Sequence, residues 1–125
     1  MSKEIINAPK APKAIGAYSH AAAVGNLVFL SGQIPLNPET MELEEGFTNQ
    51  ANRVFSNLQA VCEAAGTHLN NAVKLNIYLM DLANFAELNE IMAKWIDAPY
   101  PARAAIQVAG LPKGALIEIE AVVSR

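Results

Sequence analysis

A chain of 125 residues, 52% hydrophobic and 17% charged, makes one domain over 1–125 with a real core, and its charge is well under the usual fraction of about 25%. A net charge of −3 argues against a nucleic-acid footprint, and no apolar run is long enough to span a membrane. One cysteine, Cys62, excludes an internal disulfide, and His20 and His68 add no metal-ligand spacing, so a cytoplasmic, metal-free domain is expected.

The first residues, MSKEIINAPKAPKAIG, lack the apolar core of a secretory signal, and Pro9 and Pro12 favour an extended arm. Ala17 to Val24 and Asn26 to Ser31 read as a hairpin turning at Gly25-Asn26, with Tyr18 and His20 on its first strand. Pro35 to Gly46 is a loop punctuated by Pro38. From Phe47 to Ala65 the period becomes helical, with Ala51, Val54, Leu58, Val61, Cys62 and Ala65 on one side, Thr48 as N-cap and Gly66 just past the end. Cys62 on that stripe reads as inert core.

Val73 to Met80 alternates as a strand, and Asn84 to Ile96 carries a second helical stripe of Phe85, Leu88, Ile91, Met92 and Trp95, capped by Asp81 or Asn84. Pro99 and Pro101 then lead into a strand at Arg103, and a Gly-Leu-Pro-Lys-Gly connection joins it to a last strand around Glu118 and Glu120. The order ββ-α-β-α-ββ predicts an α+β two-layer sandwich, one sheet with both helices on one face. In the last strand Ile117, Ile119, Ala121 and Val123 suit the helix layer, while Leu116, Glu118, Glu120 and Val122 share a face that nothing in the chain remains to cover. Such a face suggests a subunit interface, and the low charge likewise favours an oligomer.

Charges inside strands are costly unless paired or used. With Ala104, Ile106 and Val108 read as the face toward the helices, Arg103 and Gln107 fall on the open face beside Glu118 and Glu120. Arg103 then makes either a structural salt bridge with a glutamate or a bidentate grip on a small carboxylate. Tyr18 reads as packing with its hydroxyl at an edge, Asn89 as a solvent-facing helix flank, and His20 as a surface histidine. Ser31-Gly32 is either a plain turn or a close backbone approach to a ligand.

The runs Ala14-Ile15-Gly16-Ala17-Tyr18-Ser19, Ser31-Gly32-Gln33-Ile34-Pro35, Pro101-Ala102-Arg103, Leu111-Pro112-Lys113 and Ile117-Glu118-Ile119-Glu120-Ala121 together resemble the RidA (YjgF) family over nearly the whole chain. The resemblance implies a chorismate-mutase-like fold, a homotrimer with pockets between subunits, and hydrolysis of 2-imino acids to 2-oxo acids and ammonia without a cofactor. By the same likeness Arg103 holds the substrate carboxylate, Glu118 sits by the attacking water and Tyr18 is the pocket tyrosine. Gly32 with Ser31 corresponds to a backbone contact, Asn89 to a pocket asparagine, and Glu120 is left as a structural or interface charge. Ala105 stands on the pocket wall where many relatives have Cys, Ala17 replaces a common Pro and His20 a common Gln. Two rivals are a small-acid binding protein without turnover and a ribonuclease, an activity reported for relatives.

Overall fold

The structure, a computed structural model, describes residues 2–125. The hairpin forms as the Gly25-Asn26 signal predicts. β1 (Glu4–Ile6) lies beside β2 (Ala21–Val24), which pairs antiparallel with β3 (Leu27–Gln33) across Gly25, whose φ of 60° suits glycine. α1 (Phe47–Ala64), β4 (Ala72–Leu79), α2 (Phe85–Trp95), β5 (Ala102–Gln107) and β6 (Ile117–Ser124) follow. The sheet runs β1-β2-β3-β6-β4-β5, with β6 antiparallel to both neighbours and β5 parallel to β4. A parallel pair needs a crossover, which α2 supplies.

The core lies between one sheet face and both helices. Val54, Phe55, Leu58, Val61 and Cys62 of α1 and Leu88, Ile91 and Met92 of α2 meet Val28, Leu30, Leu75, Ile77, Leu79, Ile117, Ile119 and Val123. Each fully buried aliphatic side chain contributes about 1.5–3 kcal/mol, so this layer is the main source of stability. The opposite face keeps Ile5, Val24, Leu27, Phe29 and Ile106 between 40% and 50% exposed.

Buried Asn57 of α1 ties down the loop after β3, donating to the Ile34 carbonyl at 3.3 Å and to the Leu36 carbonyl at 3.0 Å. Removing the donor strands buried acceptors, at about 1–3 kcal/mol. Asn57→Ala is therefore expected to lower the unfolding free energy by that amount, read by urea titration as an earlier midpoint at unchanged slope.

Several sequence expectations change. The N-terminal arm is not only extended chain, because Glu4–Ile6 adds an edge strand. The next strand begins at Ala21 rather than Ala17, so Tyr18 lies in a bend ahead of it. The reason is His20, buried rather than on the surface: its Nδ1 accepts from the Ala8 N–H at 2.8 Å and its Nε2 donates to the Pro12 carbonyl at 2.7 Å. The ring pins the arm and pulls residues 17–20 out of the ladder. The first helix is entered through Gly46, with φ 79°, rather than through a Thr48 cap. Thr48 instead bonds Glu87 of α2.

The largest correction concerns Arg103. In the β4–β5 register Arg103 pairs with Leu75 and Ala105 with Ile77, both core residues, while Ala104 and Ile106 pair with Asn76 and Tyr78 of the open face. Arg103 therefore faces the helix layer, not Glu118 and Glu120. Ala104 and Ile106 are apolar without being core, since β5 is an edge strand and Ile106 is 50% exposed.

Candidate active site

The candidate residues form two groups on opposite faces of the sheet. The first surrounds Glu118. β3 pairs with β6 at Leu30–Ala121 and again at Gln33–Ile119, so Ser31 and Gly32 together oppose Glu120 in a bulge. The bulge brings the Gly32 backbone against the Glu118 side chain. A Cβ added at Gly32 would stand 3.0 Å from Glu118 Cδ and nearer still to Oε2. Glycine is needed here for close approach, not for a left-handed backbone. Ser31 anchors the neighbouring bend, its hydroxyl donating to the Ser19 carbonyl at 2.6 Å and its N–H to the His20 carbonyl at 3.0 Å.

That bend carries Tyr18, 46% exposed, whose hydroxyl oxygen accepts from the Ile15 N–H at 3.4 Å. The phenolic proton is left to donate elsewhere. Tyr18, Ser31, Gly32, Pro112, Glu118 and Glu120 line an open cavity of about 420 Å³. Partial burial raises the Glu118 carboxyl above its ordinary range, and the charge of Glu120 adds to the effect. Among the described residues nothing donates a hydrogen bond to the Glu118 carboxylate, so it is free to act on water.

The second group surrounds Arg103. Its Nη1 donates to Asn89 Oδ1 at 2.5 Å and lies 3.6 Å from Met92 Sδ, and its Cζ stands 5.1 Å from the Phe85 ring centroid. Asn89 is thus not a solvent-facing flank but the residue that orients the guanidinium. A cleft of about 540 Å³ opens in front, bounded also by Tyr100 and Pro101. Arg53 pairs with Glu44 and Arg125 with Glu4, whereas Arg103 has no carboxylate within 4.0 Å among the described residues. A guanidinium held on one nitrogen with its remaining N–H groups open is an anion receptor. Ala105, two residues on, packs against the core and lines neither cavity.

Four residues that sequence reasoning passed over matter to this geometry. Phe85 and Met92 frame Arg103, and Asn76 and Tyr78 of β4 donate to Glu120 at 3.1 and 2.6 Å. The alternation of β4, which puts Asn76 and Tyr78 on one face, was the signal available for the second pair. Among the described residues no group of three or more His, Cys, Asp or Glu could hold a metal ion, and no helix is long and apolar enough to cross a membrane.

Comparison with known proteins adds three kinds of likeness. The family model described as Endoribonuclease L-PSP matches residues 8–125. A 2-iminobutanoate/2-iminopropanoate deaminase from Dermatophagoides farinae is 43% identical over 122 residues, 97% of this chain and 95% of that protein. The crystal structure of RidA from an Antarctic Psychrobacter species matches with a TM-score of 0.96 at 54% identity, over 98% of this chain and 99% of that one. E. coli TdcF, crystallised with bound serine, matches with a TM-score of 0.92 at 38% identity over 98% of each chain.

Proposed function

The chain belongs to the RidA (YjgF) family, and from that premise we propose that it hydrolyses small 2-imino acids such as 2-iminobutanoate and 2-iminopropanoate to 2-oxo acids and ammonia. The observation that carries the reading is Arg103, oriented by Asn89 over Phe85 and facing a cleft with no carboxylate to neutralise it. A substrate carboxylate supplies the missing partner. The serine bound to E. coli TdcF, itself a small α-amino acid, is of fitting size and charge.

The two groups must then meet across copies of the chain. Arg103 and the register position of Glu118 are separated by two strand spacings and three residues, roughly 14 Å between Cα atoms, on opposite faces. One copy cannot bring both to a molecule of a few heavy atoms. A second copy covering the apolar open face brings its own half of the site, and a closed homotrimer with three such pockets is the assembly proposed. Light scattering should give a mass near three times 13.4 kDa.

In the mechanism, Arg103 grips the carboxylate and Asn89 keeps the guanidinium in plane with it. Water attacks C2 while Glu118 takes a water proton. The imine reacts as its protonated iminium form, so the C=N electron pair moves to a positively charged nitrogen and leaves a neutral amino group on the tetrahedral amino alcohol. Proton return from Glu118 to that nitrogen makes it a leaving group, and C–N cleavage releases ammonia, which takes up the hydroxyl proton as the C2 carbonyl forms. A carboxyl with raised proton affinity suits both proton transfers, and such help typically gives about 10²–10⁴-fold. Tyr18 orients the substrate or the water through its free phenolic proton.

A threonine dehydratase supplies the imine in situ. Adding this protein should speed ammonia and 2-oxobutanoate appearance beyond the spontaneous rate. No acceleration, with measurable 2-oxobutanoate binding, would instead make it a small-acid binding protein. A net charge of −3 and scattered lysines weigh against a ribonuclease.

A further inference from the structure

Glu120, pinned by Tyr78 and Asn76, is, we propose, a positioning residue for the hydrolysis, setting the proton transfers of Glu118 through its fixed charge without touching the substrate. The inference rests on the deaminase reading of the site.

The two carboxylates stand on one face of β6, two residues apart and so about 7 Å along the strand. They bound one cavity yet have opposite surroundings. Glu120 Oε1 accepts from the Tyr78 hydroxyl at 2.6 Å and from Asn76 Nδ2 at 3.1 Å. Tyr78 pairs in register with Glu118, but its hydroxyl passes that neighbour and reaches diagonally to Glu120. One carboxylate thus has both donors and the other has none among the described residues.

Two donors on one oxygen hold the Glu120 side chain in place as an acceptor. The bond to Glu120 pushes the Tyr78 hydroxyl up to about 12, so it stays a donor throughout the working range of pH. Burial and then the Glu120 charge raise the Glu118 carboxyl. Two carboxylates whose environments separate their roles are the pattern of an acid–base pair.

The other titratable or charged groups on elements around Glu118 are Tyr18 ahead of β2, Lys74 on β4 beyond Asn76, and Lys113 beside the cavity's Pro112. None of the lysines lies within 4.0 Å of a carboxylate oxygen of Glu118. In the proposed assembly Arg103 of a second copy adds a positive charge, which the substrate carboxylate neutralises on binding.

The test is Glu120→Gln, which keeps the acceptor oxygen for Tyr78 and Asn76 and removes only the charge. Glu118 must be deprotonated to take a proton from water, so the acid limb of the kcat/KM profile reports its titration. Without the Glu120 charge that limb should move to lower pH, with KM within about twofold of wild type. An unmoved limb, or a loss confined to KM, overturns the proposal. Carbon-13 NMR titration of the Glu118 carboxyl gives a readout independent of turnover. It should shift downward in the variant even if the imine is not the substrate, which separates failure of this proposal from failure of the deaminase reading. Should the variant not fold, Glu120→Ala read by the same NMR titration decides: a Glu118 midpoint below that of wild type supports the proposal, and an unmoved one overturns it.

Discussion

Arg103→Ala is expected to lower kcat/KM for 2-iminobutanoate by roughly 10²–10³-fold, since truncating one partner of a desolvated charge pair costs about 2–5 kcal/mol. The fold should persist. Arg103 is exposed, and the variant loses the Asn89 bond and the contacts with Met92 and Phe85, each about 1 kcal/mol or less at an exposed position. Arg103→Lys should fall between the two, because an ammonium keeps the charge but not the planar fork. The more decisive experiment mixes inactive chains. If the site joins Arg103 of one copy to Glu118 of another, refolding Arg103→Ala together with Glu118→Gln regenerates intact pockets. In random trimers from equal amounts, about a quarter of the sites carry both native halves. Steady-state assay of the mixture should recover that share of wild-type activity. Recovery of nothing, with mixed trimers demonstrated by mass spectrometry, would place the whole site within one copy and sink the assembly proposed above.

The same pair of residues marks what could be read from sequence. In β6 the alternation Ile117, Ile119, Ala121 and Val123 against Glu118, Glu120 and Val122 fixes the two faces, because only one set can meet the helices, and the burial follows it. β5 offers no such contrast. Ala104 and Ile106 are apolar, so they pass for the core face, and Arg103 is assigned to the other side. Hydrophobic residues inside is a one-way rule, and an edge strand bordering a bare sheet face is where it fails. What corrects it is the register with β4, a long-range pairing that no local pattern in Ala102–Gln107 records.

Tyr18 lies ahead of the strand rather than on it for a related reason. The run from Ala17 to Val24 looks continuous as a strand, but His20 is occupied by Ala8 and Pro12, residues far enough back that the contact is tertiary. The short edge strand Glu4–Ile6 shows the same limit, since three residues carry no period. Legible from the start were the residue types: an arginine, two glutamates, a tyrosine and a glycine next to a serine. Their grouping onto two faces was not, because it depends on the bulge at Ser31-Gly32 and on the order β3-β6-β4-β5.

Gly32→Ala isolates that bulge. The added methyl would enter the space of the Glu118 carboxylate, the far end of a flexible side chain, so the carboxylate swings away and the backbone stays. The Gly32 backbone is not in the left-handed region, and alanine costs nothing there on that account. Thermal stability should therefore remain close to wild type while kcat falls about 10²-fold or more, the usual worth of a positioned proton-transfer group. KM should change little, because in the proposed site the carboxylate grip belongs to Arg103 on the other half. Such a split, kcat without KM, is what distinguishes a displaced base from a blocked pocket. If KM rises with kcat unchanged, the methyl obstructs substrate entry and Glu118 does not act on the water. A glycine that leaves room for another side chain is invisible to pattern reading, and here that room is what lets the Glu118 carboxylate line the cavity.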